Sequence, residues 1–275
     1  MKQAMILAAG LGTRLRPLTD TMPKALVPVG DTPLIDLAVR RLMAQGYDRF
    51  VVNVHHFAPL LVAHISQQDY APMVSISDET AQLLDTGGAL KHAQGLFHDH
   101  APILIHNVDI LDNVDYAWFC RQHRDDEDAV LLVSRRQTTR YLLFDGAMRL
   151  MGWLNTTTGE VKSPYPWLRQ AALTIGDNLR VSVEAPPSLI PSPSSLIPSP
   201  PTLYAYAFSG IHSFSPRLFP LMARFPDRFS IIDFYLSVCH RSPIVGLLKA
   251  DLQVLDVGKT ETLQQAEAFA RTLSY

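Results

Sequence analysis

A glycine-containing segment near the start of the chain combines residues that could bind phosphate. Residues 5–30 read MILAAGLGTRLRPLTDTMPKALVPVG, so that Gly10, Gly12, Thr13, Arg14 and Lys24 follow an apolar run. Successive backbone N–H groups in a tight turn after a strand accept phosphate oxygens, and glycine lets that backbone approach a ligand closely. Two cationic side chains in the same segment add the charge that a phosphate needs. The spacing therefore predicts a phosphate-binding loop.

Two other glycine-rich loops and a plain turn are the alternatives. A dinucleotide fingerprint would have glycine where Leu15 stands, and its next strand would end in an acid for the ribose, where this chain has VVNVH at 51–55. A Walker loop needs Gly-Lys-Ser/Thr, and Lys24 is too far from Gly12 for that motif. A plain turn would not need Arg14, Arg16 and Lys24. The residues alone thus favour phosphate binding without naming the ligand.

An aspartate at a predicted strand end, an aspartate in a predicted turn and one Thr-Gly-Gly sequence are further candidates for chemistry. Asp109 ends the segment IHNVD at 105–109, and Asp256 lies in LDVG at 255–258. Taken alone, each aspartate fits a cap or an ordinary turn. Thr86, followed by Gly87 and Gly88, likewise fits a helix start with Thr86 as its N-cap. The residues by themselves leave these interpretations open beside a ligand-binding role.

The elements that must position these residues alternate between strands and helices in the first half of the chain. Apolar runs predict strands at 4–9, 50–54, 74–77, 103–105 and 129–133. Helical spacing and end signals predict helices at 34–45, 59–67, 88–96 and 116–123. This alternation predicts a mostly parallel sheet, in which ligands bind beyond the carboxyl ends of the strands. The loop 10–24 and Asp109 both fall at such ends.

The second half of the chain has a different pattern. Residues 141–144, a turn at 145–146 and residues 148–153 predict a hairpin, and 204–211 and 244–249 predict strands. Helices are expected at 215–224, at 231–240 and after a turn at 256–258. Between them, PPSLIPSPSSLIPSPPT at 186–202 contains SLIPSP twice, at 188–193 and 195–200. Its prolines exclude a central strand or helix, so that we expect an exposed loop, with a partner-binding Pro-rich motif as the alternative.

Composition limits the class of protein. The chain has 275 residues, 47% of them hydrophobic, and a net charge of −2. It can form a sizeable core, and its overall charge does not favour nucleic acid or an anionic membrane as a partner. No apolar run reaches about 18 residues, and Cys120 and Cys239 stand far apart, so that neither a membrane span nor a disulfide framework is expected. We expect a cytoplasmic protein that binds its anion at a local site.

The segment LAAGLGTRLRPLT at 7–19, followed by Pro23-Lys24, resembles the signature of the sugar-1-phosphate nucleotidylyltransferases. The resemblance extends over the whole chain except the Ser/Pro insertion. It implies that the glycine loop and the arginine hold the phosphates of a nucleoside triphosphate (NTP), and that the lysine contacts the α-phosphate. Arg14 and Lys24 would then be catalytic. The residues implied to bind nucleotide in this segment are Ala8, Ala9, Gly10, Gly12, Thr13, Arg14 and Lys24.

Two later segments resemble the parts of the family that contact the base and the sugar. LDTGGAL at 84–90 resembles the nucleobase loop, which implies base contacts for Thr86, Gly87 and Gly88. FSGI at 208–211 resembles the sugar-side strand, although a core strand with a packing glycine is an equal alternative for these residues. The residues implied to contact the sugar are Asn107 and Gly210.

Two further segments resemble the family's metal-binding positions. IHNVD resembles a segment whose aspartate binds Mg²⁺, with Val108 standing where the family usually has glycine. LDVG resembles the segment with the second metal aspartate, just before the closing helix. Asp109 and Asp256 are therefore the implied Mg²⁺ ligands, and oxygen donors of this kind are what Mg²⁺ prefers.

The family implies a Rossmann-like three-layer α/β sandwich with a mostly parallel central sheet and a small β-rich sugar-binding subregion. One domain would span 1–275, with a nucleotide-binding half at 1–135 and a sugar-binding half at 136–275. The implied reaction joins an NTP and a sugar-1-phosphate to give an NDP-sugar and pyrophosphate. It needs no catalytic base, because the second pKa of a phosphate monoester is about 6.

Within the family, the Thr-Gly-Gly loop, the short chain and FSGI most resemble the N-acetylmuramate-1-phosphate uridylyltransferases of cell-wall recycling, which implies UTP as the nucleotide. Mannose- or heptose-1-phosphate guanylyltransferases, which use GTP, are the alternative. A non-catalytic relative that binds a nucleotide sugar and regulates a partner is an alternative of another class. Loss of Lys24 or of either aspartate would favour that alternative, and the chain has all of them.

Overall fold

The computed structural model describes residues 2–98, 100–184 and 202–273, which belong to two compact units. The first unit comprises Met1–Gln122, Gly210–Ile231 and Asp251–Tyr275, and the second comprises His123–Ser209 and Ile232–Ala250. Both SLIPSP copies of the predicted exposed loop lie outside the described residues. The expected nucleotide-binding half at 1–135 and sugar-binding half at 136–275 stay predictions.

The described residues form the following regular elements. The strands are β1 (Gln3–Leu7), β2 (Pro28–Val29), β3 (Thr32–Pro33), β4 (Arg49–Val54), β5 (Val74–Asp78), β6 (Ile103–Asn107), β7 (Ile110–Asp112), β8 (Ala129–Ser134), β9 (Arg140–Phe144), β10 (Leu150–Asn155), β11 (Val161–Lys162), β12 (Ala172–Ile175), β13 (Arg180–Glu184), β14 (Leu203–Phe214), β15 (Ile244–Leu248) and β16 (Val254–Asp256). The helices are α1 (Leu34–Ala44), α2 (Ala58–Ser66), α3 (Asp85–His92), α4 (Tyr116–Gln122), α5 (Pro166–Arg169), α6 (Phe219–Met222), α7 (Ile231–Val238) and α8 (Leu263–Ala270).

The first unit is built on a sheet in which β6, β1, β4 and β5 lie side by side and parallel. The last residues of β14 extend this sheet antiparallel to β6. Residues 4–6 of β1 and the apolar residues of β4 are buried, as expected for parallel strands covered on both faces. In register, Leu7 of β1 faces Asn53 of β4 and Asn107 of β6, so that three strands end at one level. The predicted mixed α/β fold with a mostly parallel central sheet is confirmed.

Two predicted helices differ from the observed ones. The helix expected at 88–96 begins earlier, as α3 at Asp85, and ends at His92, where a separate 3₁₀ turn, Gln94–Leu96, follows. The helix expected at 215–224 is a 3₁₀ turn, Pro216–Leu218, followed by the short α6. Pro220 lies in the first turn of α6, where its missing N–H costs no helical hydrogen bond.

A small ladder in the first unit corresponds to no predicted element. The three-residue strands β7 and β16 pair antiparallel, with Val254 facing Asp112 and Asp256 facing Ile110. Asn113 and Gln253 extend the pairing through the Gln253 N–H, which donates to the Asn113 side chain at 2.9 Å. This ladder joins the segment after β6 to the segment before α8.

The second unit is richer in β-structure. The predicted hairpin is confirmed as β9 and β10, with Asp145 in the turn accepting hydrogen bonds from two backbone N–H groups. β8 and β15 pair in parallel, and β12, β13 and the first residues of β14 form an antiparallel run. Leu143, Leu168, Leu203 and Ala205 are fully buried in one hydrophobic cluster of this unit. Within the described ranges of both units, no helix has the length and apolar character that a bilayer crossing requires.

Candidate active site

The glycine loop follows β1 directly and is shaped by a left-handed residue. Gly12 has φ +63°, and a Cβ there would lie 2.8 Å from Thr19 Cγ2, so that the position requires glycine. The Thr19 hydroxyl donates to the Gly12 carbonyl at 2.9 Å and fixes the turn. A Cβ on Gly10 would meet nothing within 4 Å, so that the space above this residue is open to a ligand.

A cavity of about 310 Å³ opens over this loop. Glycine backbone without side chains and two cationic side chains contribute to its lining, as a site for phosphates requires. The lining residues are Gly10, Leu11, Gly12, Thr13, Arg14, Lys24 and Gly258. The predicted loop residues from Gly10 to Arg14 and the distant Lys24 therefore meet at one place.

Lys24 projects from a 3₁₀ turn, Lys24–Leu26, that begins after Pro23. Its ammonium donates a hydrogen bond to the carboxylate of Asp109, and the two side chains are only 11% and 16% exposed. An ammonium has three donors, so that the pairing with Asp109 leaves donors for another anion. In such a poorly solvated place, a charge acts more strongly on its neighbours than it would in water.

The β7–β16 ladder brings the two predicted metal aspartates together. The Val257 N–H donates to the Asp109 carbonyl at 2.8 Å, and Asp256 is paired in register with Ile110. Burial raises the pKa of Asp256, the negative charge and hydrogen bond of Asp109 raise it further, and Lys24 and Arg14 oppose the rise. Two carboxylates thus lie side by side between two cations.

Arg14 reaches this acidic pair from the glycine loop. One of its guanidinium nitrogens lies 3.7 Å from Asp256 Oδ2, with both side chains more than half exposed. A Cβ on Gly258 would lie 2.5 Å from Asp256 Oδ1 and 2.8 Å from the Arg14 guanidinium. The close approach of Arg14 and Asp256 therefore depends on glycine at position 258, a role that the sequence analysis did not assign.

Asp112, the last residue of β7, holds the ladder through its buried side chain. This fully buried carboxylate accepts hydrogen bonds from the Tyr116 hydroxyl at 2.7 Å and the Val114 N–H at 2.8 Å, and His106 Nε2 lies 3.1 Å away. Arg41 contributes a guanidinium nitrogen at 3.7 Å. Burial acts to raise the pKa of Asp112, but His106, Tyr116 and Arg41 together outweigh it and hold this pKa below its ordinary value.

Asp112→Asn is expected to lower the free energy of unfolding at pH 7 by about 3 kcal/mol, because Arg41 loses its buried counter-charge. The pKa of Asp112 is lower in the folded state than in the unfolded state. Its contribution to the free energy of unfolding is therefore present above about pH 4 and is lost as the pH falls through the folded-state pKa. Urea unfolding of the wild type and of Asp112→Asn from pH 7 to pH 3 checks this prediction. A stability difference that does not narrow on acidification would contradict it.

A second cavity, of about 350 Å³, lies beyond the carboxyl ends of β1, β4 and β6. It shares Gly10 and Lys24 with the first cavity. Its volume falls in the range of small-molecule sites. The lining residues are Leu7, Ala9, Gly10, Lys24, Asn53, Leu83, Asp85, Thr86, Asn107, Val108, Asp109 and Arg228. Val108, which departs from the family pattern, is buried and donates its N–H to the Leu7 carbonyl at 3.1 Å, so that valine fits this backbone.

The Thr-Gly-Gly segment is not the helix start that one of its two interpretations predicts. α3 begins at Asp85, so that Thr86 lies inside the helix and is not its N-cap, and its hydroxyl accepts the Ile231 N–H at 3.0 Å. A Cβ on Gly87 would lie 2.4 Å from the Phe229 ring, and one on Gly88 would lie 2.0 Å from the Asp227 carbonyl oxygen. Packing against the segment 227–231 therefore explains both glycines. Their contact with a base stays a prediction.

Gly88→Ala is expected to lower the free energy of unfolding by about 2 kcal/mol, because the added methyl group overlaps backbone that cannot move aside easily. Gly95→Ala is the matched control, since a Cβ on Gly95 would meet nothing within 4 Å. Chemical denaturation of the two variants checks this. Equal effects at both positions would show that the packing against Asp227 is not what requires Gly88.

The two residues implied to contact a sugar adjoin each other. Gly210 has φ +83°, and a Cβ there would lie 2.8 Å from the Asn107 side-chain nitrogen. Close packing of Asn107 thus accounts for this glycine, as the alternative interpretation expected. Asn107 also lines the 350 Å³ cavity, and the sugar contacts of both residues stay predictions.

The sequence analysis missed three polar residues of this region. Asn53 lines the 350 Å³ cavity from the end of β4, and the buried Glu79 follows β5. Arg228 lines the same cavity, is exposed, and makes no hydrogen bond or ion pair with any residue in the described part of the chain. A buried polar residue at a predicted strand end was the available signal for Asn53. Arg228 has no sequence signal, because only the fold brings it to the cavity.

Comparison with known proteins identifies a family and partial relatives. A family model described as nucleotidyl transferase matches residues 3–142. An N-acetylmuramate alpha-1-phosphate uridylyltransferase from Caulobacter vibrioides is 50% identical over 111 residues, which are 39% of this chain and 46% of that protein. A mannose-1-phosphate guanyltransferase from Emericella nidulans is 31% identical over 144 residues, which are 50% of this chain and 39% of that protein. The matches thus span less than half of the length of these relatives.

Solved structures resemble the chain over nearly its whole length. The inositol-1-phosphate CTP transferase from T. maritima gives a TM-score of 0.70 at 13% identity, over 98% of this chain and 96% of that one. HddC from Yersinia pseudotuberculosis, complexed with GMP-PN, gives 0.62 at 20% identity, over 98% and 99%. At these identities the likeness concerns the fold, which is the predicted Rossmann-like α/β fold. Because the family model also matches half of the sequence, glycine loop included, the chain belongs to the nucleotidyl transferase family.

Proposed function

We propose that this chain transfers a nucleotidyl group from an NTP to a sugar-1-phosphate and releases pyrophosphate. The observation that carries the proposal is the convergence of Lys24, Arg14, Asp109 and Asp256 beside an open glycine loop. These residues come from three separate segments of the sequence, with Arg14 and Lys24 in the first of them. Their combination of amides, cations and paired acids suits a reaction between two phosphates.

The chemistry requires management of charge more than proton transfer. The sugar-1-phosphate is already a dianion at pH 7, so that its oxygen attacks the α-phosphorus without a base. The bond between the α-phosphorus and the bridging oxygen breaks, and pyrophosphate leaves with that oxygen. Lys24 would stabilise the charge that develops on the α-phosphate, and Arg14 and the loop amides would hold the leaving group.

A Mg²⁺ ion fits the acidic pair. Asp109 and Asp256 are hard oxygen donors. Burial first and the charge of Asp109 second raise the pKa of Asp256, and a cation between the two carboxylates would offset both effects. The described residues contain no cluster of three or more His, Cys, Asp and Glu side chains that could hold a metal, and Mg²⁺ commonly binds through one or two carboxylates together with phosphates. When bound, the ion would screen the repulsion between the two substrates.

UTP and N-acetylmuramate-1-phosphate are the substrates that we propose first, in the cytoplasm, where a cell-wall precursor would be activated. The Caulobacter relative with 50% identity supports this pair. GTP with mannose-1-phosphate is the second pair, supported by the relative with 31% identity over a longer stretch. The two pairs differ in both base and sugar, so that a substrate panel separates them.

The experiment is a pyrophosphate-release assay with Mg²⁺, four NTPs and a set of sugar-1-phosphates. We expect the highest kcat/KM with UTP and N-acetylmuramate-1-phosphate. Highest activity with GTP and mannose-1-phosphate would select the second pair. Absence of pyrophosphate release with every pair, from protein that is folded by circular dichroism, would overturn the proposed function.

A further inference from the structure

A buried chain of hydrogen bonds connects the glycine loop to the loop before α3. The Ala8 N–H donates to Asn53 Oδ1 at 2.7 Å, and Asn53 Nδ2 donates to Glu79 Oε1 at 2.8 Å. The other oxygen of Glu79 accepts the Leu84 N–H at 3.1 Å. Asn53 and Glu79 are 3% and 2% exposed. The side chains of two residues thus bridge two backbone segments that both border the 350 Å³ cavity.

Burying the carboxylate of Glu79 costs free energy of folding. Within the part of the chain that the structure describes, no cation pairs with its carboxylate, and its two oxygens are satisfied by Asn53 and Leu84. Burial raises the pKa of Glu79, and these two hydrogen bonds, with smaller contributions from the nearby His92 and His55, oppose the rise. An apolar pair of the same size would cost less to bury, so that stability alone does not explain the arrangement.

This series of hydrogen bonds ends in the two backbone segments that line the 350 Å³ cavity. Ala9 and Gly10 follow Ala8 and line the 350 Å³ cavity on one side, and Leu83 and Asp85 flank Leu84 and line it as well. Asn53 itself lines the cavity between them. Asn53 and Glu79 thus connect the glycine loop to the segment around Leu84 through side-chain hydrogen bonds.

We propose that Asn53 and Glu79 are positioning residues that hold the glycine loop and the segment 83–86 at one fixed separation. This inference rests on the proposed function. A nucleotide with its phosphates on the glycine loop and its base at the segment 83–86 is then bound in one register, with the α-phosphorus beside Lys24. Displacement of reacting atoms by about 1 Å can cost about 10²-fold in rate, so that such a spacer affects turnover without touching the substrate's reacting atoms.

The donor and acceptor roles in these hydrogen bonds can be exchanged by substitution, which tests the proposal. Asn53→Asp places two carboxylates face to face at a contact that is now 2.8 Å. Glu79→Gln makes the new amide direct its NH₂ group at either the Asn53 NH₂ group or the Leu84 N–H, both of which are donors. The double variant N53D/E79Q restores every bond, because the new carboxylate accepts from Ala8 and from the new amide, whose oxygen accepts from Leu84. The size and shape of the side chains are unchanged throughout.

Steady-state kinetics and thermal unfolding of the wild type, both single variants and the double variant test the proposal. We expect each single variant to lower kcat/KM for the NTP at least about 10-fold, with a smaller change in KM for the sugar-1-phosphate. The double variant should recover to within about threefold of the wild type. Asp36→Asn is the matched control: its buried carboxylate bonds to His64 and Tyr70 and lines neither cavity. It should lose thermal stability and keep its kinetic constants.

The outcomes separate this inference from the proposed function. Folded single variants with wild-type kinetics, or a double variant that sums the two single losses, would overturn the positioning role. If the wild type releases no pyrophosphate with any substrate pair, the proposed function fails, and calorimetric binding of UTP and GTP replaces kinetics as the readout. Weakened NTP binding in both single variants and recovery in the double variant would then still support the spacer, and unchanged binding would reject it.

Discussion

A Lys24→Met variant is expected to turn over NTP and sugar-1-phosphate with a kcat/KM at least about 10²-fold below that of the wild type. Methionine keeps most of the side-chain volume and removes the charge. Lys24 lines both cavities, and its side chain is only 11% exposed, so that water cannot replace the missing charge effectively. The loss should appear mainly in kcat, because the lysine is proposed to act on charge that grows in the transition state.

The control for this prediction comes from the same segment. Arg16 is exposed, pairs with Asp20 at 3.2 Å and lines neither cavity, so that Arg16→Met should keep kcat/KM within about threefold of the wild type. Lys24→Arg tests geometry separately, because a planar guanidinium does not reproduce a compact ammonium in a tight place. Equal kinetics for Lys24→Met and Arg16→Met would reject Lys24 as a catalytic residue.

The parts of the site that could be predicted from sequence are those that depend on local chain geometry. Gly12 was expected to allow a tight turn, and its φ of +63° requires it. The level ends of β1, β4 and β6 follow from apolar runs separated by helices, because parallel strands in one sheet end at the same edge. Lys24 and Asp109 were expected at this edge, and there they form an ion pair.

The parts that could not be predicted depend on contacts between segments remote in sequence. β7 and β16 have three residues each, too few for a periodic signal, yet their pairing brings Asp256 to Asp109. The contact of Gly87 and Gly88 with a base stays a prediction, and the fold adds a packing reason for both glycines, because the nearest obstacles to a Cβ come from Phe229 and Asp227. A sequence pattern identifies where small residues are needed, but it does not identify the group that needs the space.

Asp109→Asn is expected to lower kcat/KM at least about 10²-fold at saturating Mg²⁺ and to raise the Mg²⁺ concentration that gives half-maximal rate. Asp109 belongs both to the ion pair with Lys24 and to the carboxylate pair with Asp256, so that its neutralisation affects the cation and the proposed metal position together. Asp256→Asn leaves the ion pair of Lys24 and Asp109 intact and removes the second carboxylate together with its contact to Arg14. It should raise the half-saturating Mg²⁺ concentration with a smaller loss of kcat. Removal of divalent ions with EDTA should abolish turnover by the wild type.

Thermal unfolding gives a readout that does not depend on turnover. Mg²⁺ added with a non-hydrolysable NTP should raise the Tm of the wild type, since a ligand that binds the folded state stabilises it by mass action, and each Asn variant should show a smaller rise. Asp115→Asn is the matched control: this exposed aspartate caps the start of α4 through the Trp118 N–H at 2.8 Å and lines neither cavity. We expect Asp115→Asn to keep the Mg²⁺ dependence and the Tm rise of the wild type. If Asp109→Asn and Asp256→Asn kept both as well, the affinity for Mg²⁺ would be independent of either carboxylate, and the two aspartates could not be the metal ligands.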